Sequence, residues 1–183
     1  HFLGSTNGNK STSIIKLFQQ GDKSLITLNR KGGILWISES GHKLYQWNTL
    51  PSGISDFTAN TGVQLNERQI LFASYGRLYM LDLHSKGISV LSGPAKAKQL
   101  EIGQLERLFN GKIIVSCFGD LMQEIILEGN TYSLQPYGDL SKYSDNTTYF
   151  KIDQHNRLYI SNDELSILVF VPSSDGTSHV FER

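Results

Sequence analysis

Short apolar runs recur along the chain, and five of them end on a serine. They are Phe2-Leu3-Gly4-Ser5, Leu35-Trp36-Ile37-Ser38, Leu71-Phe72-Ala73-Ser74, Ile113-Ile114-Val115-Ser116 and Leu158-Tyr159-Ile160-Ser161. The serines lie 33, 36, 42 and 45 residues apart. Gly8, Gly41, Gly76 and Gly119 follow the first four serines within three residues, and Asn162-Asp163 follows the fifth. Both kinds of residue favour turns. After each turn comes a second apolar stretch: Ile14 to Phe18, Leu44 to Trp47, Leu78 to Leu81, Leu121 to Leu127 and Ile167 to Phe170. Upstream of the four internal runs lie further turns, at 29–33, 66–68, 110–111 and 153–156. These are preceded by apolar segments Leu25 to Leu28, Val63 to Leu65, Leu105 to Phe109 and Tyr149 to Ile152. A fourth strand is expected at Ile54 to Phe57, Ile88 to Leu91, Tyr132 to Leu134 and His179 to Phe181.

Continuous apolar runs of this kind suit strands buried on both faces. A four-strand meander repeating about every 40 residues is the pattern of a propeller blade. The expected fold is therefore all-β, made of about four complete four-stranded antiparallel β-propeller units plus a partial one. The units fall near 1–24, 25–58, 62–92, 104–135 and 147–182, within one propeller-type domain over residues 1–183. The serines are expected to mark one register position of the unit. The first unit lacks an innermost strand, which points to a piece of a larger propeller. An open arc exposes the faces and edges of its end blades, so self-association is expected. Ala95 to Leu108 is the one stretch with a loosely helical spacing, and Gly103 interrupts it; it reads as a loop leading into a strand.

The unit resembles the two-component regulator propeller repeat. The likeness rests on Gly33-Ile34-Leu35-Trp36-Ile37-Ser38-Glu39-Ser40-Gly41-His42-Lys43-Leu44-Tyr45-Gln46-Trp47, and on the connection Leu50-Pro51-Ser52-Gly53-Ile54. Val63 to Leu78 and Arg157-Leu158-Tyr159-Ile160-Ser161 are further matches. The serine replaces a usual Gly-Thr, and Ile113 to Leu127 fits less well. The resemblance implies a non-enzymatic periplasmic sensor domain of a two-component receptor, often a hybrid histidine kinase. It also implies a small extracellular ligand, commonly a carbohydrate, with the membrane reached only through other segments of the parent protein. Two alternatives stay open: a propeller enzyme such as a calcium-dependent lactonase or hydrolase, and a plain protein-interaction scaffold.

Composition agrees with the strand-and-turn pattern. Alanine, the best helix former, occurs 4 times, against 17 glycines and 21 serines. Lys plus Arg and Asp plus Glu are both 17, so the formal charge is zero. That balance argues against a general nucleic-acid-binding surface or a polybasic membrane anchor. A single cysteine, Cys117, excludes an intrachain disulfide and a cysteine metal cluster; it is expected to be a buried structural thiol. No apolar run approaches the roughly 20 residues of a membrane span. The chain begins with His1 rather than Met, as an excised or processed chain would.

Motifs for chemistry are absent. There is no Gly-x-Ser-x-Gly elbow, no phosphate-cradling loop and no His-Glu-x-x-His, so no cofactor, metal or catalytic residue is assigned. The five histidines are scattered one by one, and the carboxylates near turns come singly. Asp153-Gln154-His155-Asn156 has a calcium-loop flavour but lacks the further acids, and it reads as a hairpin turn. Aromatic side chains are the better binding candidates, because a sugar ring stacks its apolar face on Trp or Tyr. Trp36, inside an apolar strand, reads first as inter-blade core. Turns that fall at equivalent positions of successive units would share one rim. On that reasoning Glu39, His42, Tyr75, Arg77, Phe118 and Asp120 form the expected ligand-binding rim.

Overall fold

The computed structural model describes residues 13–94, 101–118, 122–137, 147–162 and 167–182, with only the backbone of Glu101, Phe118, Thr147, Thr148 and Asn162. Among the described residues, sixteen strands form four antiparallel sheets, each a simple meander. The first sheet holds β1 (Ile14–Gln19), β2 (Leu25–Asn29), β3 (Ile34–Ile37) and β4 (Lys43–Trp47). The second holds β5 (Thr61–Gln64), β6 (Gln69–Ser74), β7 (Arg77–Asp82) and β8 (Gly87–Val90). The third holds β9 (Glu101–Arg107), β10 (Ile113–Phe118), β11 (Gln123–Glu128) and β12 (Thr131–Pro136). The fourth holds β13 (Thr147–Ile152), β14 (Leu158–Asn162), β15 (Ile167–Pro172) and β16 (His179–Phe181).

Strand alternation explains how the sheets stack. Successive side chains on a strand point to opposite faces. In β6, Ile70 and Phe72 join a core shared with the first sheet, while Leu71 and Ala73 join a core shared with the third. In β10, Ile113, Val115 and Cys117 face the second sheet, and Ile114 faces the fourth. A strand that serves two cores has no polar position to spare, which is why these runs are continuously apolar. Aromatic rings fill the core between the first two sheets: Phe72 stacks with Phe57 at 5.8 Å and with Tyr79 at 5.3 Å.

The first strands of the sheets, β1, β5, β9 and β13, lie innermost and run the same way. The Leu105 N–H donates to Thr61 Oγ1, the Gln104 side chain exchanges hydrogen bonds with the Phe150 backbone, and Lys16 Nζ donates to the Leu105 carbonyl. This is the arrangement of propeller blades around an axis. Because each sheet is a meander, the turns after its first and third strands fall on one face of the molecule. The turns after the second strands, and the connections between sheets, fall on the other, called here the connector face.

Two expectations need correction. The first sheet starts at Ile14 and not at Leu25, because β1 pairs with β2 over five residue pairs. Ile54 to Phe57 is correspondingly no strand. Pro51 lacks a donor, Gly53 and Asp56 take positive φ of 82° and 49°, and the Gly53 N–H closes a turn onto the Leu50 carbonyl. The segment leaves Ile54 exposed and drops Phe57 into the core. Phe2 to Ser5 lies outside the described residues. The serines also do not share one position. Ser74 is buried and donates to the Thr58 carbonyl, on the side of the first sheet. Ser116 lies on the Ile114 face of β10, toward the fourth sheet. Ser38 follows a third strand, is half-buried, and its hydroxyl bonds that of Ser40.

Gly33 sits where β3 begins, with φ of 73°, and a Cβ there would overlap the Trp47 carbonyl. Only glycine fits this start of the strand.

Candidate functional site

A depression of about 670 Å³ opens between the first two sheets, away from the connector face. Trp36, Leu44 and Leu83 give it apolar surface, and Glu67, Arg68, His84 and Lys86 give it charged and polar groups. The sequence builds it in steps. β3 and β4 slip register between Trp36 and Ile37, so Leu44 is an extra residue on β4. A bulge re-aims a side chain, and Leu44 comes to lie beside Trp36. The turns 65–68 and 83–86 of the second sheet then supply the polar wall.

Trp36 is held rather than loose. Its Nε1–H donates to Ser24 Oγ at 2.7 Å, and its ring stacks on Trp47 at 6.3 Å with planes 11° apart. Ser24 in turn donates to Asp22 from both hydroxyl and N–H, which holds that carboxyl below its ordinary value. Trp47 is buried and donates its indole N–H to the Lys86 carbonyl at 2.8 Å, fixing the Lys86 turn against the first sheet. Lys86 Nζ lies 4.8 Å over the Tyr45 ring and separates the groove from a second depression of about 350 Å³. That depression is lined by Tyr45, Gln46, Asn48, Thr49 and Pro51 among others. Across the groove Arg68 Nε is 3.2 Å from Asp82 Oδ2. Asp82 also accepts the Ser85 N–H, the main cause of its lowered pKa. An apolar floor carrying a fixed indole, rimmed by donors and acceptors, is a surface for stacking a ring and orienting its polar substituents.

The expected rim is split. Tyr75 and Arg77 share the β6–β7 hairpin on the connector face, where Tyr75 and Gly76 both take positive φ as a tight two-residue turn requires. Phe118 ends β10 on that same face, with its backbone alone described, and Asp120 lies outside the described residues. Glu39 and His42 lie instead in the β3–β4 turn, on the opposite face. Glu39 pairs with Lys23 at 3.2 Å, both exposed, and the His42 N–H donates to Ser38 Oγ. The cause is the one-strand offset of the first sheet: the turn after Ser38 follows a third strand, while those after Ser74 and Ser116 follow second strands.

Trp36 combines two roles, core contact and groove wall. Glu67, Arg68 and Lys86 carried no signal, since turn charges are usually just solvated. Asp153 makes the turn expected of it: it accepts N–H bonds from His155 and Arg157 and lies 2.8 Å from Arg157 Nε. Burial alone would raise its pKa, but those Arg157 and His155 donors outweigh it and bring it to about 2. Cys117 is buried in the core between the second and third sheets. Among the described residues, no cluster of His, Cys, Asp or Glu is placed to hold a metal ion.

No protein-family model matches the chain, and no curated protein matches its sequence. Solved structures do match. The extracellular domain of BT3049, described as a hybrid two component system of B. thetaiotaomicron, superposes with a TM-score of 0.60 at 14% identity, over 93% of this chain and 22% of that one. The WD40 β-propeller domain of Doa1 gives 0.56 at 9% identity, over 86% and 49%. Virginiamycin B lyase of Staphylococcus aureus gives 0.56 at 10% identity, over 88% and 56%. The chain thus spans between a fifth and just over half of these proteins. Likeness at such identities is likeness of fold, and with the meander sheets and shared cores it makes the four sheets blades of a β-propeller.

Proposed function

We propose that this chain is an extracytoplasmic sensor domain that recognises a small extracellular ligand and performs no catalysis itself. The fold likeness to the extracellular BT3049 domain supports the location and the role. The observation that carries ligand binding is the fixed Trp36 indole in a groove rimmed by Glu67, Arg68, His84 and Lys86. A sugar ring suits this surface: its apolar face covers the indole and the rim groups take its hydroxyls. The groove lies on a seam between two blades, so a bound ligand touches both. Signalling then requires only that the ligand favour one arrangement of that seam over another.

Trp36 and Trp47 are the only tryptophans, which makes the test direct. Neutral oligosaccharides titrated into the protein are expected to change the Trp36 emission saturably, in wild type and in W47F but not in W36F. Unchanged emission across a broad oligosaccharide panel, or equal binding by a W36A variant with native circular dichroism, would overturn the reading. Turnover of the same sugars would point instead to a propeller enzyme.

A further inference from the structure

A second recess, of about 290 Å³, opens on the connector face between the second and third sheets. It is lined by Arg77 at the start of β7, by Val90 to Gly93 leaving β8, and by Tyr132 of β12. Its walls are fixed by backbone. The Ser92 N–H donates to the Asn130 carbonyl, and the Tyr132 N–H donates to the Ser92 carbonyl, so the segment crosses from one sheet to the next as a short parallel bridge. Gly93 lets the Tyr132 ring lie directly over the backbone: a Cβ at 93 would overlap the phenol end of that ring. Tyr132 is thereby buried at the base of the recess, while Arg77 stands exposed at its edge.

Neither polar group is spoken for. Among the described residues the Arg77 guanidinium has no ion pair and donates no hydrogen bond, whereas those of Arg68, Arg107 and Arg157 each reach an oxygen of the protein. The Tyr132 hydroxyl has no partner there either. Beside them Val90 and Leu91 give apolar wall. A guanidinium fork, a phenol donor and an apolar side in one small concavity form a complementary surface for an anion with an organic body.

We infer that this recess is a second binding site, independent of the Trp36 groove, that takes a small organic carboxylate. The carboxylate would receive the Arg77 fork and the Tyr132 hydroxyl, and the carbon body would lie on Val90 and Leu91. Nothing in this requires the Trp36 groove to be occupied, and the two sites lie on opposite faces and between different pairs of sheets.

The test is a titration of the full chain followed by amide NMR, with benzoate as probe, benzyl alcohol as its neutral counterpart, and sulfate as a bare anion. Benzoate is expected to shift the amides of Gly76, Arg77, Ser92 and Gly93 saturably, with the residues around Trp36 unmoved. Benzyl alcohol is expected to bind at least about tenfold more weakly, since it lacks the charge that the fork recognises. R77Q is expected to weaken benzoate by roughly tenfold or more, and Y132F by a smaller factor. Both variants remove a group without opening a cavity, and their amide spectra report retention of the fold. Equal binding of benzyl alcohol, sulfate binding as tight as benzoate, or R77Q affinity equal to wild type would each overturn the inference. None of these outcomes bears on the oligosaccharide titration.

Discussion

Lys16 Nζ lies 2.9 Å from Glu106 Oε1, so a residue of the first sheet is bound to one of the third across 90 positions of sequence. The same ammonium donates to the Leu105 carbonyl, and Lys151 of the fourth sheet stands 3.9 Å from the same carboxylate oxygen. The Glu106 side chain is only 15% exposed and that of Lys16 25%. The pair therefore sits between the cases of a solvated ion pair and a buried one. K16M or E106Q is expected to cost about 1–2 kcal/mol, more than a surface pair and less than a fully buried one. Urea unfolding measures this; a midpoint unchanged in both variants would show that the axis is held by the strands alone.

The aromatic core between the first two sheets sets a larger scale. Phe72 is fully buried and lies between Phe57 and Tyr79. F72A is expected to lose about 3–5 kcal/mol through lost transfer energy and the cavity left behind. By contrast Y75F, at an exposed hairpin tip, is expected to stay within about 0.5 kcal/mol of wild type. Similar losses in both variants, measured by denaturant unfolding, would contradict the placement of the core.

His179 makes stability depend on pH. It is buried, its Nε2 lies 2.6 Å from the Asn156 carbonyl, and its Nδ1 lies 3.0 Å from the Tyr137 hydroxyl. A carbonyl only accepts, so Nε2 carries the proton and Nδ1 accepts from the phenol, itself pushed up to about 12, chiefly by burial. Burial holds the imidazole below its ordinary value, against the hydrogen bond to Asn156. Below about pH 6.5 the unfolded chain therefore takes up a proton that the folded chain refuses. Stability is expected to fall as pH drops through that window, and to be insensitive to this residue above it. Melting temperatures at pH 7.5 and 5.5 check the sign: wild type should lose more than H179Q, and parallel losses would reject the assignment.

The end sheets present apolar faces. Leu17 is exposed on the first, as are Tyr149, Ile167 and Val180 on the fourth. Self-association through these faces is expected, seen as a mass that rises with concentration in sedimentation. An L17K/I167K variant should reduce it, and a monomer at every concentration would dismiss it.

What could be read from the amino acids follows physical logic. The second and fourth sheets were legible strand by strand, because a strand buried on both faces writes an unbroken apolar run, as in Leu71 to Ala73. In the third, β9 runs Glu101–Arg107 rather than Leu105 to Phe109, because Gly103 and the polar Gln104 and Glu106 interrupt its apolar pattern. The first sheet was misaligned by one strand because Ile34 to Ile37, a third strand, looks like the second strands elsewhere. Its serine, its glycine and its Trp36 supplied the pattern without the register. That single offset placed Glu39 and His42 on the wrong face. The Trp36 groove was hidden for a different reason: its polar wall comes from turns whose charges are ordinary in composition, and its shape from a bulge at Leu44 that no pattern announces.

The alternation along β6 and β10 has a mechanical consequence. Each middle sheet is a wall common to two rooms, while the outer sheets seal only one described core apiece. Cohesion then passes from neighbour to neighbour as in a one-dimensional array, and opening is cheapest where a sheet has a single partner. The Trp36 groove lies on such a seam, between the first sheet and the rest. On the proposed reading, a ligand there would act as a clasp across the joint between the first and second sheets, converting recognition into resistance to opening at that seam.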